Sequence, residues 1–169
     1  NQITIITGTS RGIGYAIAKG FLESGAIVHG ISRTSSDLSV ENNYTHHMID
    51  LRKKKSIIEL VNKIGIGSEK IDVLINCAGE SLNSNSDQFH VDSIKNILDI
   101  NLLSPYILST SVIKFMKKNG GSIINVTSIG AKLGFPENPA YISSKAGLSG
   151  LTRSLAYDYA HLGIRVNNL

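Results

Sequence analysis

The chain has 169 residues, 41% hydrophobic and 18% charged, with a formal net charge of +4. That length suffices for one domain with a buried core and is short for two, and the composition excludes a disordered chain. No apolar run reaches the length of a membrane span, no signal-peptide pattern opens the sequence, and the lone Cys77 excludes an internal disulfide or a cysteine zinc cluster.

Apolar runs of strand length alternate with helical patterns, which predicts βαβ units and a doubly wound α/β fold on a parallel sheet. A first strand over Gln2–Thr7 runs into TGTSRGIG, a turn carrying Gly8, Gly12 and Gly14. A helix over Gly12–Ser24 follows, closed by Gly25. Between a strand and a helix, such a turn permits close backbone approach and turns helix N-terminal N–H groups toward a pyrophosphate. Its spacing is G-x-x-x-G-x-G rather than G-x-G-x-x-G, and a purely structural turn is the competing reading.

The second strand, Ile27–Ser32, ends in GISRTSS, where an acidic residue would hold the ribose hydroxyls of NAD. No carboxylate follows before Asp37. Arg33 stands there instead, and Arg11 lies in the glycine turn. Either arginine alone reads as a surface residue. Two guanidiniums flanking a ribose suit a 2′-phosphate, which favours NADP(H) over NAD(H) as cofactor.

A third strand is predicted over Thr45–Ile49. The basic run Arg52–Lys55 then opens a helix over Lys53–Ile64, reading as its solvated first turn, and no aromatic stacking platform accompanies it. Nucleic acid is therefore not an expected partner, and neither is a membrane. The five histidines read as incidental. His46 and His47 alternate along a strand without metal-ligand company, so no metal site is expected.

The stretch Gly65–Ser68 is predicted as a loop leading to a fourth strand, Val73–Asn76, which ends in NCAG. Ligands of open α/β sheets lie beyond the carboxyl ends of the strands, so Ala78 and Gly79 should line a crevice there. Cys77 reads as a buried filler rather than a nucleophile, having no histidine neighbour. Helices over Val91–Asn101 and Ser104–Lys118 follow, with Asn101 at a helix end where it could be a cap. A fifth strand, Ile123–Thr127, puts Ser128 at the same rim. A helix over Ala140–His161 carries AYISSKAG, and a sixth strand starts at Ile164. Tyr141 and Lys145 are one helical turn apart, hence on one face. An ammonium there favours the phenolate and makes the phenol a usable acid near neutrality. Taken alone, the pair fits an ordinary helix surface equally well. The chain ends at IRVNNL, within a strand, which leads us to expect a sequence incomplete at its C-terminus.

Taken in order, TGxxxGIG, the NCAG turn, Asn101, Ser128, YxxxK and IRVN resemble the short-chain dehydrogenase/reductase family over essentially the whole chain. TG-x-SRGIG and Y-x-x-SKAG are most similar to the branch containing 3-oxoacyl-[acyl-carrier-protein] reductases. The resemblance implies one Rossmann-type dinucleotide-binding domain over residues 1–169, with strand order 3-2-1-4-5-6. It implies Tyr141 as the general acid, Lys145 as its activator and a ligand of the nicotinamide ribose, Ser128 as holder of the substrate oxygen, and Asn101 as anchor of a water leading from Lys145. Gly8, Ser10, Arg11 and Ile13 match the phosphate-loop positions, Asp50 and Leu51 the adenine, and Asn76, Ala78 and Gly79 the ribose and nicotinamide.

The expectation is a cytoplasmic NADP(H)-dependent reductase or dehydrogenase acting on a small-molecule carbonyl or secondary alcohol, an acyl-carrier-protein-bound ketone or a sugar-derived one among them. A non-catalytic dinucleotide-binding protein is the rival reading. The resemblance also implies that the helices Ser104–Lys118 and Ala140–His161 pack between subunits of a homodimer or homotetramer. Family members continue past RVNN into substrate-covering segments that would choose the substrate.

Overall fold

The computed structural model describes residues 1–81 and 91–169. Six parallel strands form one sheet in the order β3-β2-β1-β4-β5-β6. They are β1 (Ile3–Thr7), β2 (Ile27–Ser32), β3 (Tyr44–Met48), β4 (Val73–Asn76), β5 (Gly121–Asn125) and β6 (Ile164–Asn168). The reversal from β1 to β4 is the switch point at which open α/β sheets form a ligand crevice. Both central strands, ITIIT and VLIN, are buried along their whole length, as strands covered on both faces must be. This is the Rossmann-type doubly wound order read from the sequence.

The helices are α1 (Gly12–Glu23), α2 (Lys54–Ser68), α3 (Val91–Leu98), α4 (Ser104–Met116) and α5 (Pro139–Tyr159). One face of the sheet buries Ile5, Ile31, Leu74 and Ile123 against apolar positions of α2, α4 and α5. The other packs Ile6, Val28 and Ile75 against α1 and against Leu38 of a short 3₁₀ turn. Among the described residues, no helix is long and apolar enough to cross a membrane.

Two expectations are corrected. Gly65–Ser68 is not a loop: α2 continues through it to Ser68, and the chain reverses at Glu69 with φ 59°. Gly65 stays helical because it packs, a Cβ there meeting the Phe115 ring of α4 at 2.5 Å. β5 begins at Gly121 rather than Ile123, because Ser122 pairs in register with Val73.

Candidate active site

The glycine turn is fixed by close packing. Gly8 adopts φ 80°, and a Cβ there would sit 3.0 Å from Ala78 Cα. A Cβ on Gly14 would overlap the Gly8 carbonyl, so the start of α1 lies directly on the turn. Gly12 also has positive φ, 61°, but nothing lies within 4 Å of its Cβ position, leaving the backbone open to a ligand. The N-cap of α1, Arg11, makes no side-chain cap hydrogen bond, and its first turn holds no acidic residue. Unsatisfied N–H groups and the positive helix end thus face the crevice. These features fit the pyrophosphate of a dinucleotide.

The crevice has a volume of about 470 Å³, within the range of small-molecule and cofactor sites. Gly8, Ser10, Arg11, Gly12, Ile13 and Gly14 line it from the turn. Arg33, Asp50 and Leu51 line it from the ends of β2 and β3, and Ala78 and Gly79 from the turn after β4. Asn76 lies beneath that turn, 2% exposed, donating to Asn125 Oδ1 at 2.8 Å and Ser109 Oγ at 3.3 Å. Both N–H groups of Cys77 and Ala78 donate to Thr7 Oγ1 at 3.0 Å, so the end of β1 holds this turn in place. The half-buried Cys77 thiol lines the crevice and is pushed up by burial, which keeps it a protonated filler.

Arg33 approaches Glu80 at 4.0 Å, both side chains well exposed, a geometry of little energetic weight. Asp50 is engaged elsewhere. Arg52 grips its carboxylate with Nε at 3.0 and 3.1 Å and a terminal nitrogen at 2.6 Å. That hydrogen bonding holds the Asp50 carboxyl down at about 2.

The second cluster lies beyond Gly79. A methyl on Gly79 would come within 3.5 Å of both Asn101 Oδ1 and Lys145 Nζ. Lys145 is 4% exposed, donates to the Val126 carbonyl at 2.7 Å and sits 5.8 Å from the Tyr141 ring centroid, one turn away on α5. Burial lowers its pKa from the usual lysine value. Ser128 caps a 3₁₀ turn over Ile129–Ala131, and its Oγ accepts from Gly130 N–H at 3.1 Å.

Asn101 is no simple helix cap. It is 0% exposed within a π turn, Asp99–Leu103, that joins α3 to α4. Its Oδ1 accepts from Glu80 N–H at 2.8 Å; its Nδ2 donates to the Glu80 carbonyl at 2.8 Å and Ser144 Oγ at 3.0 Å. Single π turns inside helices recur at functional sites. Sequence reading missed Thr7, Ser144 and the Glu80 backbone. Each is common in type, and only its partner across the fold makes it notable. Among the described residues, no group of three His, Cys, Asp or Glu could hold a metal.

A family model described as short chain dehydrogenase matches residues 2–169. The chain is 38% identical to a 3-oxoacyl-[acyl-carrier-protein] reductase FabG of Rickettsia bellii, covering 98% of this chain and 70% of that one. It is 36% identical to the reductase of the same name from Chlamydia pneumoniae, with the same coverage. Among solved structures, 4-hydroxyisoleucine dehydrogenase complexed with NADH superposes with a TM-score of 0.91 at 33% identity, covering 99% of this chain and 74% of that one.

Proposed function

The chain belongs to the short-chain dehydrogenase family, and on that premise we propose that it is an NADP(H)-dependent oxidoreductase interconverting a carbonyl and a secondary alcohol. One observation carries the reading: the uncapped glycine turn and Gly79 line one crevice, and a Cβ on Gly79 would lie 3.5 Å from Lys145 Nζ, which with Tyr141 stands just beyond it. When bound, the nicotinamide dinucleotide supplies or takes up the hydride.

The chain's own residues do the rest. Gly8, Ser10, Gly12, Ile13 and Gly14 would hold the pyrophosphate against α1, and Arg11 and Arg33 the 2′-phosphate. Asp50 and Leu51 would border the adenine; Ala78 and Gly79, supported from beneath by Asn76, would border the ribose and nicotinamide. Tyr141 delivers its phenolic proton to the carbonyl oxygen, and Ser128 donates a hydrogen bond to the same oxygen. Lys145 stabilises the phenolate left behind and would hold the nicotinamide ribose. Asn101 positions the turn through Glu80.

The substrate we propose is a 3-oxoacyl thioester or a similar ketone. The Rickettsia and Chlamydia relatives support this, as do Ile129, Leu133 and Phe135, apolar side chains left 68%, 54% and 45% exposed between Ser128 and α5. A hydroxy amino acid or other small alcohol is the second reading, favoured by the likeness to 4-hydroxyisoleucine dehydrogenase. We also propose a homodimer or homotetramer. An apolar groove lined by Ile94, Leu98, Leu102 and Tyr106 offers α4 a partner surface, and light scattering reads the mass directly.

The deciding experiment is Tyr141→Phe. Turnover of a ketone panel should fall by roughly 10²–10⁴-fold, while NADPH affinity by fluorescence titration stays within a few-fold. Full activity in the variant would overturn the assignment. Cofactor binding without turnover by the wild type on any ketone would favour a non-catalytic dinucleotide-binding protein.

A further inference from the structure

His46 belongs to a polar chain, buried at its Thr9–Tyr44 end and exposed at its Thr34 end, that ties two parts of the crevice wall together. Tyr44, the first residue of β3, is 7% exposed. Its Oη lies 2.8 Å from Thr9 Oγ1, inside the glycine turn, and 2.9 Å from His46 Nδ1. His46 Nε2 lies 2.9 Å from the Thr34 carbonyl oxygen, which also accepts from Ser32 Oγ at 2.6 Å. A carbonyl only accepts, so we assign the ring proton to Nε2 and leave Nδ1 facing the tyrosine hydroxyl. A second strut runs beside it, Ser36 Oγ donating to the Thr9 carbonyl at 2.9 Å. Beneath lies Gly30, where a Cβ would overlap both Tyr44 Oη and Thr9 Oγ1, so no side chain can replace this arrangement.

The chain Thr9–Tyr44–His46–Thr34 starts in the turn that faces the pyrophosphate and ends on the residue after Arg33. Ser32, Arg33 and Thr34 all line the crevice. Arg33 itself is half exposed and, among the described residues, makes its ion pair with Glu80, at 4.0 Å, while its charge also acts on Asp50, so its direction depends on the backbone that carries it. We propose that His46 is a positioning residue for cofactor discrimination: by anchoring the Thr34 carbonyl to the glycine turn through Tyr44, it holds Arg33 ready for an adenosine 2′-phosphate. Preorganisation of this kind adds affinity by cutting the ordering cost of binding. The inference rests on reading the crevice as an NADP(H) site.

Isothermal titration of the full chain with 2′,5′-ADP and with 5′-AMP, ligands differing only in the 2′-phosphate, separates the two ideas. The wild type should bind 2′,5′-ADP more tightly. His46→Ala should weaken 2′,5′-ADP five- to tenfold and 5′-AMP less than twofold, and His46→Gln, which keeps a donor for Thr34, should recover most of the loss. Tyr44→Phe, which keeps the packing and removes the middle link, should show the same selective loss should His46→Ala fail to fold. Equal weakening of both ligands, or unchanged discrimination in His46→Ala and Tyr44→Phe, would overturn the role of His46 and leave the NADP(H) reading standing. A wild type that binds 5′-AMP as tightly as 2′,5′-ADP would remove both.

Discussion

Lys145 and Asn101 are both nearly sealed from water, yet they serve opposite ends. Burial disfavours the Lys145 ammonium, whose only hydrogen-bond acceptor among the described residues is the Val126 carbonyl. A buried cation of this kind costs stability. Lys145→Met, which keeps length and drops charge, should therefore leave folding stability within about 1 kcal/mol of wild type. Turnover should nevertheless fall by at least ~100-fold. Urea unfolding beside steady-state kinetics separates the two, and an active Lys145→Met enzyme would show the ammonium to be idle. Asn101 is the reverse case. Replacing it with Ala strips partners from the backbone N–H and carbonyl of Glu80, an expected loss of about 1–3 kcal/mol. An unchanged urea midpoint would show that the clamp carries no load.

At the scale of the element, α2 and α4 meet at a glycine. Ala at position 65 would gain about 1 kcal/mol of helix propensity, but its Cβ would meet the Phe115 ring at 2.5 Å. Overpacking of that kind costs about 1–3 kcal/mol. Gly65→Ala should thus destabilise the wild type by about 1 kcal/mol and stabilise a Phe115→Leu background by about the same amount. Denaturant unfolding of the four proteins tests this, and the same sign in both backgrounds would sink the packing argument. This contact also shows what sequence could not reveal. GIGS has the composition of a loop, and only a ring 50 residues further on makes its first glycine helical. The glycine turn, the strands and the Tyr141–Lys145 spacing were legible because each is a local pattern of periodicity or separation. The start of β5, the π turn at Asn101 and the His46 chain were not, because their causes are pairing register and contacts between distant segments.

For the whole molecule, the strongest pH dependence of stability should come from the face of the sheet opposite the Tyr44–His46 chain. His29 Nδ1 and His47 Nε2 lie 3.1 Å apart with their rings stacked. Burial lowers His29, and burial with the nearby His29, His46 and Lys63 charges lowers His47 to about 4. In the unfolded chain both titrate near the ordinary histidine value of about 6.5. Below that value the unfolded state binds protons that the folded state refuses, so stability is full above it and falls as pH drops through about 4. The His47 share should be about 1–2 kcal/mol, discounted because the ring is partly open to solvent. Asp50 acts in a separate and lower window. Its hydrogen bonds to Arg52 stabilise the fold above the usual carboxylate range, and that contribution is lost only as pH falls through about 2. Urea midpoints of wild type and His47→Gln between pH 7 and 3.5 should differ most in slope between about 6.5 and 4, the variant losing less stability on acidification. Parallel curves over that range would show that the histidine pair takes up its protons without opposing the fold.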